Sequence, residues 1–404
     1  APSPLFLPAR QGDSAYILRV APATGAVTRF GPALPAAADE LGFESVDATP
    51  DGARVAVRHW LTSDDPATLL AGDGAAWDVV TQYNKFGLGE SSLSPDVSLF
   101  WFDEIAQPDP DAVPTYQAQV IALSGELLFS GAPRLPNDLL DWDAFSPDGA
   151  WFTYVDPARG LVLRTRAGAE TELPVGNVHV AFPGSVIVAM DYPDLAWLDL
   201  RGQPILVPGF VPVFDSVAHS GYQIADGVLS LLGDGSLHPL QPVPPAMDPF
   251  DVVGHADGFV LGIPAKGAAW STIAADGSVA AKFTPTPSPF VTDEGTLETW
   301  ATPVATCLVC ATPSVVFRVD AYVVSGDQSW PADASLQLWQ LDASGGAADP
   351  VVIRGWDAGM WPRASFRYSA DGAHLVWSEA SALLRLDVAA ATVETLDIPY
   401  QILL

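Results

Sequence analysis

The residue pair with the most defined chemistry is Cys307-Leu308-Val309-Cys310, the only two cysteines in 404 residues. Haem attachment needs a His at position 311, where Ala stands. A tetrahedral zinc site needs four ligands, and no second C-x-x-C or paired His lies nearby in sequence. A thioredoxin-like redox pair sits at a helix N-terminus, whereas the flanks of this pair read as strand or turn. The expected state is a short structural disulfide in an exported protein, with free thiols and metal or redox use left open.

Acids and histidines offer a second pattern. Asp143, His179, Asp215 and Asp251 recur at a constant step of 36 residues, and His219 and His255 are separated by the same step. A ring of Asp and His at matching places could bind a cation or work as acid and base. The plainer role for a repeated Asp is hydrogen bonding to backbone within its own repeat. No G-x-S-x-G elbow, H-E-x-x-H, phosphate-cradling loop or EF-hand spacing occurs, so no catalytic residue and no metal ligand is assigned. Calcium stays a minor option at Pro108-Asp109-Pro110-Asp111, which lacks a downstream bidentate Glu, and no other cofactor is expected.

The elements that must hold these residues are short. Ser146-Pro147-Asp148-Gly149 lies between apolar runs, and the pattern recurs as Thr49-Pro50-Asp51-Gly52, Ser94-Pro95-Asp96 and Ser369-Ala370-Asp371-Gly372. Pro presets φ, Asp caps the turn and Gly accepts the positive φ that follows, so each copy predicts strand, tight turn, strand. A second hairpin follows most copies, as in 161–173, 195–207 and 383–396. Two hairpins in about 36 to 50 residues make a four-stranded antiparallel sheet that cannot bury its faces alone.

These residues resemble the β-propellers with TolB-type or WD-repeat-like blades, whose blade motif reads Ser-Pro-Asp-Gly before an apolar strand. The segment around Asp148 matches that motif in full, and those around Asp51, Asp96 and Asp371 match in part. The resemblance implies an all-β fold over about residues 5 to 400, and a function in partner binding, in regulation beside a peptidase, or occasionally in catalysis. Turns near 51, 96, 148, 184, 221, 257, 295 and 371 favour eight blades, with seven as the alternative. The expectation is a single domain over 1–404, with a loop insertion around 302–333 carrying the cysteines. Residues 5–31 and 400–404 should meet, since propellers close by pairing strands from both ends. Helix should be scarce.

Composition bounds the partners. Asp and Glu number 48 against 18 Lys and Arg, giving a net charge of −30, and lysine occurs only at 85, 266 and 282. Such a surface repels phosphates, which sets aside nucleic acid and anionic lipid. It favours a cationic protein, a cation or plain solubility. No apolar run reaches the roughly 18 residues of a spanning helix, so direct membrane insertion is not expected. The Ala1-Pro2-Ser3-Pro4 opening without Met suggests export to periplasm, cell surface or medium.

Of 13 tryptophans, eight fall on or beside expected strands and read as packing between blades. Trp300, Trp330, Trp356 and Trp361 fall in the less regular C-terminal third, Trp356 and Trp361 within 355–362, and are the candidate anchors of a protein or glycan partner. The reading is an exported, non-catalytic propeller that binds a protein partner or acts as a scaffold in a cell-envelope or extracellular assembly. The alternative is a propeller hydrolase or lyase acting on a glycan or peptide, with acids at the central channel.

Overall fold

The computed structural model describes residues 4–35, 42–49, 51–60, 66–83, 91–106, 115–131, 145–156, 158–173, 177–181, 186–191, 194–205, 221–233, 236–247, 252–265, 267–286, 296–325, 328–357, 365–379 and 382–403. Among them every regular element is a strand, and the strands form nine antiparallel sheets in chain order. The chain divides into two compact units, residues 1–11, 18–29 and 241–404 in one and 12–17 and 30–240 in the other.

The chain opens with β1 (Leu5–Gln11), β2 (Ser14–Val20) and β3 (Val27–Arg29). In the 30–240 unit the sheets are β4 (Gly42–Ala48) to β5 (Val55–Trp60), β6 (Ala67–Gly72) and β7 (Trp77–Tyr83), then β8 (Ser91–Leu93), β9 (Leu99–Ala106), β10 (Thr115–Ala122) and β11 (Leu127–Gly131). Next come β12 (Trp151–Asp156), β13 (Gly160–Thr165) and β14 (Glu170–Glu172), and β15 (Asn177–Ala181), β16 (Val186–Asp191), β17 (Asp194–Asp199) and β18 (Pro204–Ile205). A further sheet holds β19 (Gly221–Ala225), β20 (Val228–Gly233) and β21 (Ser236–Pro242).

In the C-terminal unit, β22 (Val252–Ala256), β23 (Phe259–Gly262), β24 (Ser271–Ala274) and β25 (Val279–Lys282) precede the longest sheet. That sheet is β26 (Thr296–Cys307), β27 (Ser314–Ser325), β28 (Gln328–Gln340) and β29 (Val351–Asp357). After it come β30 (Phe366–Tyr368), β31 (His374–Glu379), β32 (Ala382–Asp387) and β33 (Thr392–Leu396). The last strand, β34 (Gln401–Ile402), returns to pair with β1 through Ala9↔Ile402 and Arg10↔Gln401. The termini therefore meet as expected.

The expected turns carry one repeated hydrogen-bond pattern. In Ser369–His374 the backbone N–H groups of Gly372 and His374 donate to the Ser369 carbonyl at 2.9 Å and to its Oγ at 2.9 Å, and that Oγ donates to Asp371 at 2.6 Å. Thr49 repeats it with Gly52, Arg54 and Asp51, and Ser94 with Val97, Leu99 and Asp96. Gly52, Gly149 and Gly372 take φ of +65°, +61° and +68° at the position that needs it. In the Ser94 turn the β-branched Val97 holds that position at φ +53°, with its side chain buried against Ala56, Leu69 and Phe100.

Close approach also requires two of these glycines. A Cβ on Gly149 would lie 2.2 Å from Ser98 Oγ of the preceding motif turn, and one on Gly372 would lie 2.2 Å from Cys310 Cβ. Around the turns, neighbouring sheets share apolar cores, as where Trp101 and Val120 of one sheet cluster with Phe152, Tyr154 and Val162 of the next. Trp101, Trp151, Trp339 and Trp377 are at most 1% exposed, which bears out the packing role expected of them.

Two expectations change. Residues 302–333 are not a loop insertion, because 302–307, 314–325 and 328–333 belong to strands β26, β27 and β28. Val315, Phe317, Val319, Ala321 and Val323 alternate inward along β27, the period-2 pattern of a half-buried strand. Residues 355–357 likewise continue β29 instead of forming a loop.

Candidate functional site

In the sheets opened by β8, β22 and β30 a tight turn joins the first two strands, and in the β26–β29 sheet that place is taken by the turn closed by Cys307 and Cys310. Cys307 and Cys310 are joined by a disulfide with their Cα atoms 5.5 Å apart. Leu308 is buried with its Cδ1 3.1 Å from where a Cβ on Gly254 would stand, and Cys310 lies on Gly372. The bridge thus closes a turn wedged between two neighbouring sheets. Val309, at its tip, is 83% exposed.

The β26–β29 sheet also carries the exposed aromatics. Direct cross-strand partners share a face of a sheet, and successive residues alternate faces. Trp300 opposes Asp320, which opposes Ala334, which opposes Trp356. Glu298 opposes Tyr322, and Thr302 opposes Arg318, so these residues share the Trp300 face. Trp330 opposes Val323, which opposes Leu297, and this row belongs to the other face. The sheet therefore separates two tryptophans that sequence reasoning grouped.

On the first face Trp300 is 66% exposed, whereas the strand beneath it is half-buried. Arg318 Nε donates to Asp320 Oδ1 at 3.2 Å and lies 3.1 Å from Oδ2 in an ion pair. Burial pushes the Asp320 carboxyl above the usual carboxylate range, partly offset by the Arg318 charge. Burial also pulls the Arg318 guanidinium down, against the attraction of Asp320. An exposed indole beside an incompletely solvated carboxylate is a surface suited to hydrogen-bond donors and cations.

A second feature lies on the other unit. Leu127–Gly131, Tyr154, Asp156, Arg159, Arg164 and Glu170 line an open depression of about 500 Å³. Arg159 donates to Glu170 at 2.8 Å and to the Tyr154 hydroxyl at 2.9 Å, and Tyr154 donates to Glu170 at 3.0 Å. Arg159 also meets Asp156 at 3.2 Å, while Arg164 meets Glu170 and lies 5.6 Å over the Phe129 ring. Hydrogen bonding to Arg159 holds Glu170 below the usual carboxylate range, while burial and Glu170 raise Tyr154. The network satisfies its own charges. Sequence reasoning passed over it because nothing in the spacing of Tyr154, Arg159 and Glu170 distinguishes them from ordinary strand residues.

Asp143, Asp215, Asp251 and Trp361 lie outside the described residues, as do Asp109 and Asp111. Of His179 and Trp356 the strand positions in β15 and β29 are described. Among the described residues no group of three or more His, Cys, Asp or Glu is arranged to hold a metal ion.

No protein-family model matches the chain, and no curated protein matches it. Among solved structures, a eukaryotic initiation factor aligns over 100% of this chain and 96% of its own at 12% identity, with a TM-score of 0.50. Consecutive antiparallel meanders, with one sheet built from both ends of the chain, accompany that likeness. The fold is a β-propeller. A periplasmic gluconolactonase of Pseudomonas aeruginosa covers 98% of this chain and 95% of its own at 14% identity and a TM-score of 0.34. TolB from Acinetobacter baumannii covers 59% and 64% at 16% identity and a TM-score of 0.28. At 12% identity the likeness to the initiation factor speaks for the fold alone.

Proposed function

We propose that this chain is an exported, non-catalytic propeller that binds a protein partner on the Trp300 face of the β26–β29 sheet, as part of a cell-envelope or extracellular assembly. The observation that carries the reading is the contrast among tryptophans: Trp300 is 66% exposed on a strand of 12 residues, while Trp101, Trp151, Trp339 and Trp377 are at most 1% exposed. An indole left in water on a rigid sheet costs solubility unless something covers it. The Cys307–Cys310 bridge supports export, because oxidising compartments preserve such bonds. We read the chain as one propeller domain with each sheet as a blade, so the nine sheets support one blade more than the eight motif turns.

The test is cross-linking mass spectrometry on complexes formed by the full chain and by Trp300→Ala in envelope and culture-fluid extracts of the source. Links from one protein to residues 296–325, lost in Trp300→Ala at unchanged melting temperature, are expected. A complex indifferent to Trp300, or none at all, contradicts the reading. The depression beside Tyr154 and Glu170 favours the alternative, a hydrolase or lyase acting on a glycan or peptide. That alternative requires turnover on a substrate panel that Glu170→Gln abolishes.

A further inference from the structure

The chemistry of the Trp300 face also says what kind of partner fits it, an inference that rests on the binding reading above. Glu298 and Trp300 follow each other at alternate positions on β26, and Arg318, Asp320 and Tyr322 do so on the paired strand β27. Alternate residues on a strand stand about 7 Å apart, so the face presents carboxylate, indole and phenol at the spacing of another extended segment's alternate side chains. Arg318, the one cation described among these five residues, donates from Nε to Asp320 Oδ1 at 3.2 Å and lies 3.1 Å from Oδ2. A carboxylate has about four lone-pair positions, so each Asp320 oxygen keeps acceptor capacity toward an incoming donor. Glu298 is exposed beside it.

An exposed indole attracts ammonium and guanidinium groups through its π-face, and neighbouring carboxylates reinforce that preference. The whole molecule adds to it, because a net charge of −30 draws cationic partners and repels acidic ones over the distance of a Debye length. We propose that the Trp300 face of the β26–β27 hairpin takes an extended, Lys- or Arg-bearing protein segment, with one cation seated over Trp300 and a second donor reaching Asp320 and Glu298. A purely apolar occupant leaves the two carboxylates without a role, and an acidic one meets them with like charge.

Isothermal titration of the full chain with a ten-residue peptide alternating Lys and Thr tests this, beside peptides in which Gln or Glu replaces Lys. The Lys peptide is expected to bind, the Gln peptide at least tenfold more weakly and the Glu peptide not at all. Trp300→Ala is expected to weaken the Lys peptide about tenfold and Trp300→Phe less, because Phe keeps a π-face. Glu298→Gln should weaken it several-fold and flatten the salt dependence, while Leu127→Ser on the other unit leaves it unchanged. Equal binding of the Lys peptide by wild type and Trp300→Ala, or no binding, overturns the proposal. If the Gln peptide binds in a Trp300-dependent way and the Lys peptide does not, the cationic partner is wrong while the binding face stands. If the cross-linked partner of the native extract is also indifferent to Trp300, the binding reading itself falls.

Discussion

The repeated Asp of the motif turns works on its own backbone. In Thr49–Arg54 and Ser369–His374 the Asp carboxylate accepts from the hydroxyl two residues before and the N–H two residues after, and those bonds hold Asp51 and Asp371 below the usual carboxylate range. That is the capping role the sequence suggested for Asp in the Ser-Pro-Asp-Gly turns, and it was legible because Ser, Asp and Gly each have one reason to stand where they do. Gly372 adds close approach to conformation. Gly372→Ala should therefore cost more than the about 1–2 kcal/mol of placing a side chain in the left-handed region. Gly12→Ala, at φ +58° with nothing within 4 Å, should cost only that amount, and urea melts of the two variants measure the difference. His59 was not legible at all. It is 4% exposed on β5, opposite Phe43 and Thr68, and neither ring nitrogen has a hydrogen-bond partner among the described residues. Burial lowers its pKa from 6.5, so as pH falls below 6.5 the unfolded chain takes up a proton that the folded chain refuses, and stability declines. His59→Leu should raise stability by about 1–3 kcal/mol at neutral pH and remove that decline, read from melts between pH 5 and 8.

Between elements, the few arginines of an acidic chain act as clamps from one sheet to the next. Arg58 on β5 donates to the Ser91 carbonyl of β8 at 3.1 Å, and Arg164 on β13 donates to the Leu128 carbonyl of β11 at 3.3 Å. Arg385 on β32 reaches the Ala23 carbonyl before β3 at 2.6 Å, and Arg354 on β29 meets both oxygens of Glu379 on β31 at 3.2 and 3.0 Å. Glu379 is 7% exposed, so Arg354→Ala leaves a buried carboxylate without this partner. The expected loss is about 2 kcal/mol, below the range for a wholly buried pair because the Arg354 side chain is 45% exposed. Arg354→Leu with Glu379→Leu should recover most of it, which a double-mutant melt measures. The motif turns did not reveal every sheet. In β34-β1-β2-β3 the first two strands are residues 401–402 and 5–11, which no four-residue turn can join. Within the β26–β29 sheet, residues 302–333 read as an insertion because a disulfide turn stands where a motif turn is expected, although the period-2 run from Val315 to Val323 was there to be read. The placing of Trp300 and Trp330 on opposite faces depends on register, which no residue count supplies.

At the scale of the whole molecule, a charge of −30 opposes the compact state through self-repulsion. Raising salt from 10 to 200 mM should raise the melting temperature, with most of the gain complete by about 100 mM as the screening length falls to about 10 Å. The same charge gives the chain a long reach for cationic partners, and on the proposed account the β26–β29 sheet holds one. The most direct measurement of that account is hydrogen–deuterium exchange of the full chain, free and bound to its cross-linked partner. Slowed exchange confined to residues 296–307 and 314–325 is the predicted footprint. Protection centred on 127–131 and 154–170, with 296–325 unchanged, would contradict it and move the site to the depression beside Glu170.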